Sequence, residues 1–304
     1  MSEINDTYKN PEYLVETDWL EQNLNNERLR IIDCSVNVVQ NPNKEQATNI
    51  PFAYRSNVAN FNQAHIPGAG YIDVANELSD SSSDIPLIMP PEQLFIEVMS
   101  RFGIAKETHV ILYSTTDQNW ATRLWWLLRS FGFTNASVLN GGWSKWLSED
   151  RPTSNRACSY QPKEFIAQRN ADLFIDKHGV LSAIGNDKIR IINALPSAMY
   201  FGTSNIAFCR KGRITDSVNI PFNLLQEPDS GLYLSAKKLR DLFDTVAINE
   251  AEHLITYCGG GIAASNDAFA LALLGYENVA IYDGSLLEWG NDGSLPMESG
   301  NNTK

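Results

Sequence analysis

The chain has 304 residues, a net charge of −12, 43% hydrophobic and 20% charged residues, a length that favours two domains and the composition of an ordinary globular protein. That acidic balance argues against nucleic acid or an anionic membrane surface as partner, and no apolar run approaches the length of a membrane span. The polar start MSEINDTYKN does not read as a signal peptide, and the four cysteines (Cys34, Cys158, Cys209, Cys258) lie far apart. They fit reduced thiols in a cytoplasmic protein, with no disulfide framework and no metal site.

In chain order, Arg30-Ile31-Ile32-Asp33 is the first short buried strand, and Ala64-His65-Ile66-Pro67-Gly68-Ala69 a shaped turn. Residues 76–91, rich in Ser, Asp and Pro, read as a surface loop. Val110–Tyr113 is a second buried strand, and Thr122–Phe131 has helical apolar spacing with Gly132 placed to stop it. Residues 151–170 are polar, contain two prolines and show no periodicity, so they are taken as a linker between domains at 1–150 and 171–304. Beyond it come Ile191-Ile192-Asn193, a strand over His253–Tyr257, a helix over Ala263–Leu274 and a stop at Gly275. The polar tail from Gly290 is expected to fray.

These segments repeat. His109-Val110-Ile111-Leu112-Tyr113-Ser114 returns 144 residues later as His253-Leu254-Ile255-Thr256-Tyr257-Cys258, and Gly132-Phe133-Thr134-Asn135 returns as Gly275-Tyr276-Glu277-Asn278. Val138-Leu139-Asn140-Gly141-Gly142 answers Ile281-Tyr282-Asp283-Gly284-Ser285. The expected fold is therefore α/β, two tandem domains of like topology, each a mostly parallel sheet flanked by helices.

One segment carries chemistry. Cys258-Gly259-Gly260-Gly261-Ile262-Ala263 joins a strand to a helix, and three glycines allow the backbone to curl with its amides inward. A helix N-terminus adds positive charge at the same place, so a cysteine here is expected to ionise readily and act as a nucleophile without an adjacent histidine.

Taken with Ala-His-Ile-Pro-Gly-Ala at 64–69, Val-Leu-Asn-Gly-Gly-Trp at 138–143, Val-Asn-Ile-Pro-Phe at 218–222 and Tyr-Asp-Gly-Ser at 282–285, this loop makes the chain resemble the tandem-domain rhodaneses, over essentially its whole length. The resemblance implies a sulfurtransferase that moves sulfane sulfur from a small anionic donor, through a persulfide on Cys258, to cyanide or a thiol, a thioredoxin-like protein being one such acceptor. It implies no cofactor and no metal. Ser114 stands where the first domain's cysteine would be, so that half is expected to be silent and to help form an interdomain cleft over Cys258.

Thiosulfate-using members carry Arg and Lys after the cysteine; Gly259, Gly260, Gly261, Ile262 and Ala263 carry no charge and resemble the mercaptopyruvate pattern, with Gly260 and Ala263 in place of a serine and a threonine. The resemblance also nominates His65 as part of a proton relay, a role that the absent serine at 260 weakens in favour of a structural histidine at the interdomain loop. Arg210 and Arg213, with Lys211, are either a clamp for the substrate carboxylate or a solvated basic turn. A phosphatase of the same fold would need an arginine where Ala264 stands. The other reading is a degenerate module that binds partners or carries persulfide sulfur slowly.

Overall fold

A computed structural model describes residues 6–41, 50–115, 117–156 and 158–300. Each half contains one five-stranded parallel sheet. Across the first, the order is Leu14–Val15, Ala136–Leu139, His109–Tyr113, Leu29–Asp33, Ala69–Tyr71. Across the second it is Phe174–Ile175, Val279–Tyr282, His253–Tyr257, Ile189–Asn193, Val218–Asn219. Numbered along each half, both orders are the same, so the duplication read from sequence is a duplication of topology. The central strands are continuous apolar runs because helices cover both faces of a parallel sheet.

Helices Asn119–Ser130 and Ile262–Leu274 follow the strands that end at Tyr113 and Tyr257. They pack against each other between the two sheets, with Trp125 edge-on to Phe269 at 4.9 Å between ring centres. Enclosure on all sides explains why Ile262–Leu274 is apolar or small nearly all round, where a surface helix would show one apolar stripe. Trp126 ties the halves together by donating its indole N–H to the Leu173 carbonyl at 3.0 Å. Gly132 (φ +84°) and Gly275 (φ +94°) end the two helices in the left-handed region, as their positions in the sequence predict.

Two segments depart from expectation, and a third carried no expectation from the sequence. Residues 76–91 are an interface: Leu87 is 3% exposed, and the Met89 N–H reaches Asp283 of the other half. The tail does not fray at Gly290, because Met297–Glu298 pairs antiparallel with Arg213–Ile214, and Trp289 donates to the Pro296 carbonyl at 2.9 Å. Finally, an antiparallel hairpin, Val36–Gln40 with Phe52–Ser56, leaves the first domain and sets Phe52 against Phe208 of the second.

Candidate active site

Cys258 sits at the C-terminal end of strand His253–Tyr257, 3% exposed and within the apolar core that spans the halves. The loop after it is held from below by one side chain. Ser285 Oγ accepts the N–H of Cys258 at 3.0 Å and of Gly261 at 3.1 Å, and donates to the Tyr282 carbonyl at 2.8 Å. The Cys258 and Gly259 carbonyls in turn accept from the Leu286 and Leu287 amides at 3.1 and 2.8 Å. With those groups turned away from the sulfur, the amides of Ala264, Gly260, Ala263 and Gly259 are left to act on it.

The glycines have separate reasons. A Cβ on Gly259 would collide with the Phe208 ring. Gly261 adopts φ +79° and lies so close to Asp283 that a Cβ would meet Oδ1 at 2.6 Å. Gly260 has no left-handed φ, and a Cβ there would meet only a Leu287 methyl, at 2.9 Å.

The expectation of a readily ionised thiol is corrected by what surrounds it. Burial pushes the Cys258 thiol above its ordinary value, and the four amides, which pull it down, do not offset the lost hydration. Tyr54 on the hairpin is itself pushed up by burial and by the Cys258 charge, so the hairpin reaches into the thiol's field.

The other nominated residues lie elsewhere. Arg210 gives its donors to the carbonyls of Gly290, Leu295, Trp289 and Asp292 at 2.6–3.1 Å, closing the end of helix Ser285–Trp289. Arg213, 1% exposed, donates to the Gly300 carbonyl at 3.0 Å, pairs with Glu298 at 3.0 Å and stacks on Tyr200 at 4.7 Å. Both guanidiniums are thus engaged within the second domain, by main-chain carbonyls and, for Arg213, by Glu298. His65 is buried and stacked on Phe61 at 4.0 Å, its two ring nitrogens facing the Phe61 and Arg156 carbonyls at 2.7 and 3.1 Å. Its backbone also pairs antiparallel with Ser154, so these contacts bind the 64–69 turn to the start of the linker.

Two contributors had no role in the sequence reading. Ser285 carries the loop, and it does so at φ +47°, an unusual conformation for a side-chain-bearing residue. Arg123, from the first half, pairs with Asp283 at 2.5 Å, the arginine side chain 1% exposed. Asp283 also accepts the Met89 N–H at 2.7 Å, so two groups of the first half hold the residue against which Gly261 packs. Position in the Tyr-Asp-Gly-Ser motif was the available signal for Ser285. Nothing local marks Arg123.

The first half keeps the frame with different residues at the loop. Ser114 replaces the cysteine, and its carbonyl still accepts from Trp143 N–H at 3.3 Å, as Cys258 accepts from Leu286. Gly142 (φ +54°) replaces Ser285, and the Gln118 amide occupies the space its hydroxyl would need. Both the sulfur and the acceptor that holds its loop are missing.

A strand, loop and helix repeated in two parallel sheets of one topology, with a cysteine and a glycine loop at that place in the second, is the arrangement of the rhodanese class, and the chain belongs to that family: the rhodanese-like domain matches residues 16–149 and again 177–292. It is 31% identical to the thiosulfate sulfurtransferase of Mus musculus over 285 residues, 91% of each chain. It is 29% identical to the 3-mercaptopyruvate sulfurtransferase of Escherichia coli (strain K12), covering 94% of this chain and 98% of the other. The crystal structure of SseA from Escherichia coli, a 3-mercaptopyruvate sulfotransferase, superposes with a TM-score of 0.76 at 29% identity, covering 90% and 98% of the two chains. The protein is a sulfurtransferase of the thiosulfate/3-mercaptopyruvate type, using a small-molecule sulfur donor. Among the described residues no helix is long and apolar enough to cross a membrane.

Proposed function

We propose that this sulfurtransferase prefers 3-mercaptopyruvate to thiosulfate, holds the transferred sulfur as a persulfide on Cys258, and delivers it to a thiol or cyanide. The observation that carries the preference is the sulfur's surroundings: main-chain amides without a side-chain cation in Gly259–Ala263, while Arg210 and Arg213 are engaged by carbonyls and Glu298. Neutral amides suit a monoanionic α-keto acid, whereas a dianion would need fixed positive charge.

In the first step the Cys258 thiolate attacks the donor's sulfur. The carbon–sulfur bond breaks, its electrons leave as the pyruvate enolate, and the enolate takes up a proton. In the second step the acceptor thiolate or cyanide attacks the outer sulfur, and the Cys258 thiolate is the leaving group. Burial favours the protonated thiol, so the loop amides do their work on the thiolate once it forms. The first domain (1–150) serves as a support for the second (171–304). A thioredoxin-like protein is the proposed thiol acceptor and the cytoplasm the proposed location, consistent with four free cysteines.

Turnover of the two donors at equal concentration, with cyanide as acceptor, tests the preference; faster thiosulfate turnover overturns it. Intact mass after donor addition should show a gain of one sulfur atom in the wild type and in Cys34→Ser, Cys158→Ser and Cys209→Ser, and none in Cys258→Ser. A persulfide that survives Cys258→Ser overturns the mechanism.

A further inference from the structure

The two halves match closely enough for each to serve as a template for the other. The Ile66 N–H donates to the Tyr113 hydroxyl as Ile214 does to Tyr257, at 3.4 and 3.0 Å. Trp146 donates to the Pro152 carbonyl as Trp289 does to Pro296, at 2.8 and 2.9 Å. The side chain of His65 meets the Arg156 carbonyl as that of Arg213 meets Gly300. Residue 156 of the linker and residue 300 of the tail therefore stand at the same point of the two domains.

Past that point the first domain is covered by its linker. The Cys158 N–H reaches the Ala69 carbonyl at 3.4 Å, and Tyr160 enters the end of the sheet. The Tyr160 hydroxyl accepts the Ile31 N–H at 3.0 Å and lies 2.5 Å from the Gly68 carbonyl. Its ring packs under the Arg30 guanidinium at 4.8 Å, while Arg30 Nε donates to the Gly103 carbonyl at 3.1 Å.

The second domain keeps the receptor for such a segment. Arg190, Ile191, Asp216 and Ala247 replace Arg30, Ile31, Gly68 and Gly103, and Asp216 (φ +62°) and Ala247 (φ +54°) keep the left-handed backbone of Gly68 (φ +79°) and Gly103 (φ +62°). Volumes are exchanged across the slot: Gly70 beside Phe102 becomes Val218 beside Val246. None of the described residues takes the place of Tyr160, and an open groove of about 840 Å³ remains, lined by Arg190, Ile191, Asp216, Val218 and Val246 among others. Arg190 is left partly served, one Nη 3.5 Å from the Ala247 carbonyl and its buried Nε without a partner.

We propose that this groove docks an extended segment of a partner protein that inserts a tyrosine beneath Arg190. The ring covers Val218 and Val246 and meets the cation, and the hydroxyl reaches main-chain groups at Ile191 and Asp216. A simple anion would pair with Arg190 but would meet the Asp216 carboxylate and leave the two valines bare.

The probe is a fluorescent peptide with the sequence of residues 158–168, serine replacing Cys158, titrated by anisotropy against the full chain. Saturable binding is expected, weakened about tenfold or more by Tyr160→Ala in the peptide and by Arg190→Ala in the protein. Val246→Trp, which fills the groove, should act likewise should Arg190→Ala fail to fold, and sulfur-donor turnover should not change with peptide or with either variant. Four results overturn the proposal: no binding into the millimolar range, equal binding of the tyrosine and alanine peptides, binding indifferent to both protein variants, or displacement by inorganic phosphate. Concentration-dependent dimers that the peptide dissociates would make the occupant a second copy of this chain and would overturn the assignment to a partner protein.

Discussion

Ser285 is the point where the sulfur loop is most exposed to a single substitution. Ser285→Ala removes the acceptor of two buried amides, Cys258 N–H and Gly261 N–H, and the donor to the Tyr282 carbonyl. A buried N–H left without a partner costs about 1–3 kcal/mol. Two of them, partly relieved by relaxation of the loop, should cost about 2–4 kcal/mol, or roughly 3–6 °C in the midpoint of thermal unfolding for a chain of this length. Turnover should fall further than stability implies, because the loop that aims its amides at the sulfur is no longer pinned at both ends. Ser285→Gly separates the two causes. It loses the same hydroxyl but relieves φ +47°, a gain of about 1 kcal/mol, so it should be the more stable variant and equally poor in turnover. Calorimetry together with steady-state kinetics on both variants decides the matter. Wild-type midpoint and turnover in Ser285→Ala would refute the role assigned to the hydroxyl.

Arg123→Met should cost about 3–5 kcal/mol in chemical denaturation, because it strands the largely buried Asp283 carboxylate; a loss below 1 kcal/mol would show that the pair is dispensable. Gly260→Ser should raise 3-mercaptopyruvate turnover modestly with little loss of stability, since the backbone there suits any residue and only a Leu287 methyl has to swing aside. A folded variant no faster than wild type would make the glycine an adaptation to another donor. Asp117 is pushed up to about 6 by burial, against the pull of the Asn119 N–H. A carboxyl raised in the folded state stabilises fully below its unfolded value near 4, and that contribution is lost as pH rises through 6. Asp117→Asn keeps the acceptor for Asn119 and should flatten this decline. The residue still meets some solvent, which limits the advantage of the variant at pH 7 to roughly 1–2 kcal/mol in denaturant melts. A decline of the same size in Asp117→Asn would assign it to another group.

What the sequence made legible was whatever local pattern determines. The apolar runs at 30–33 and 253–257, the glycine stops at 132 and 275, and the triple glycine after Cys258 each carry their reason within a few residues. The pairing of Met297–Glu298 with Arg213–Ile214 left no trace, because a two-residue strand has no period to detect. The 76–91 segment read as surface for its Ser and Asp content, yet the Leu87 carbonyl accepts from the buried Arg123 and the Met89 N–H reaches Asp283 of the other domain, through main-chain groups that composition does not reveal. The state of the thiol was misread for a related reason. The amides that favour the thiolate are written in the loop, whereas the burial that opposes them comes from groups scattered along the chain, such as Phe208 and Leu287. Arg210 and Arg213 drew notice as charge in an acidic chain, as a clamp or a solvated turn, and their carbonyl partners, some eighty residues on, could not be seen.

The Arg123–Asp283 pair has a consequence for how such a duplicated chain can diverge. A polypeptide cut between its halves would release a fragment with the whole cysteine loop, yet without the cation and the Met89 amide that hold Asp283 beside Gly261. The half that has Ser114 in place of the loop cysteine is therefore constrained at Arg123, and its retention is enforced by a neighbour's needs.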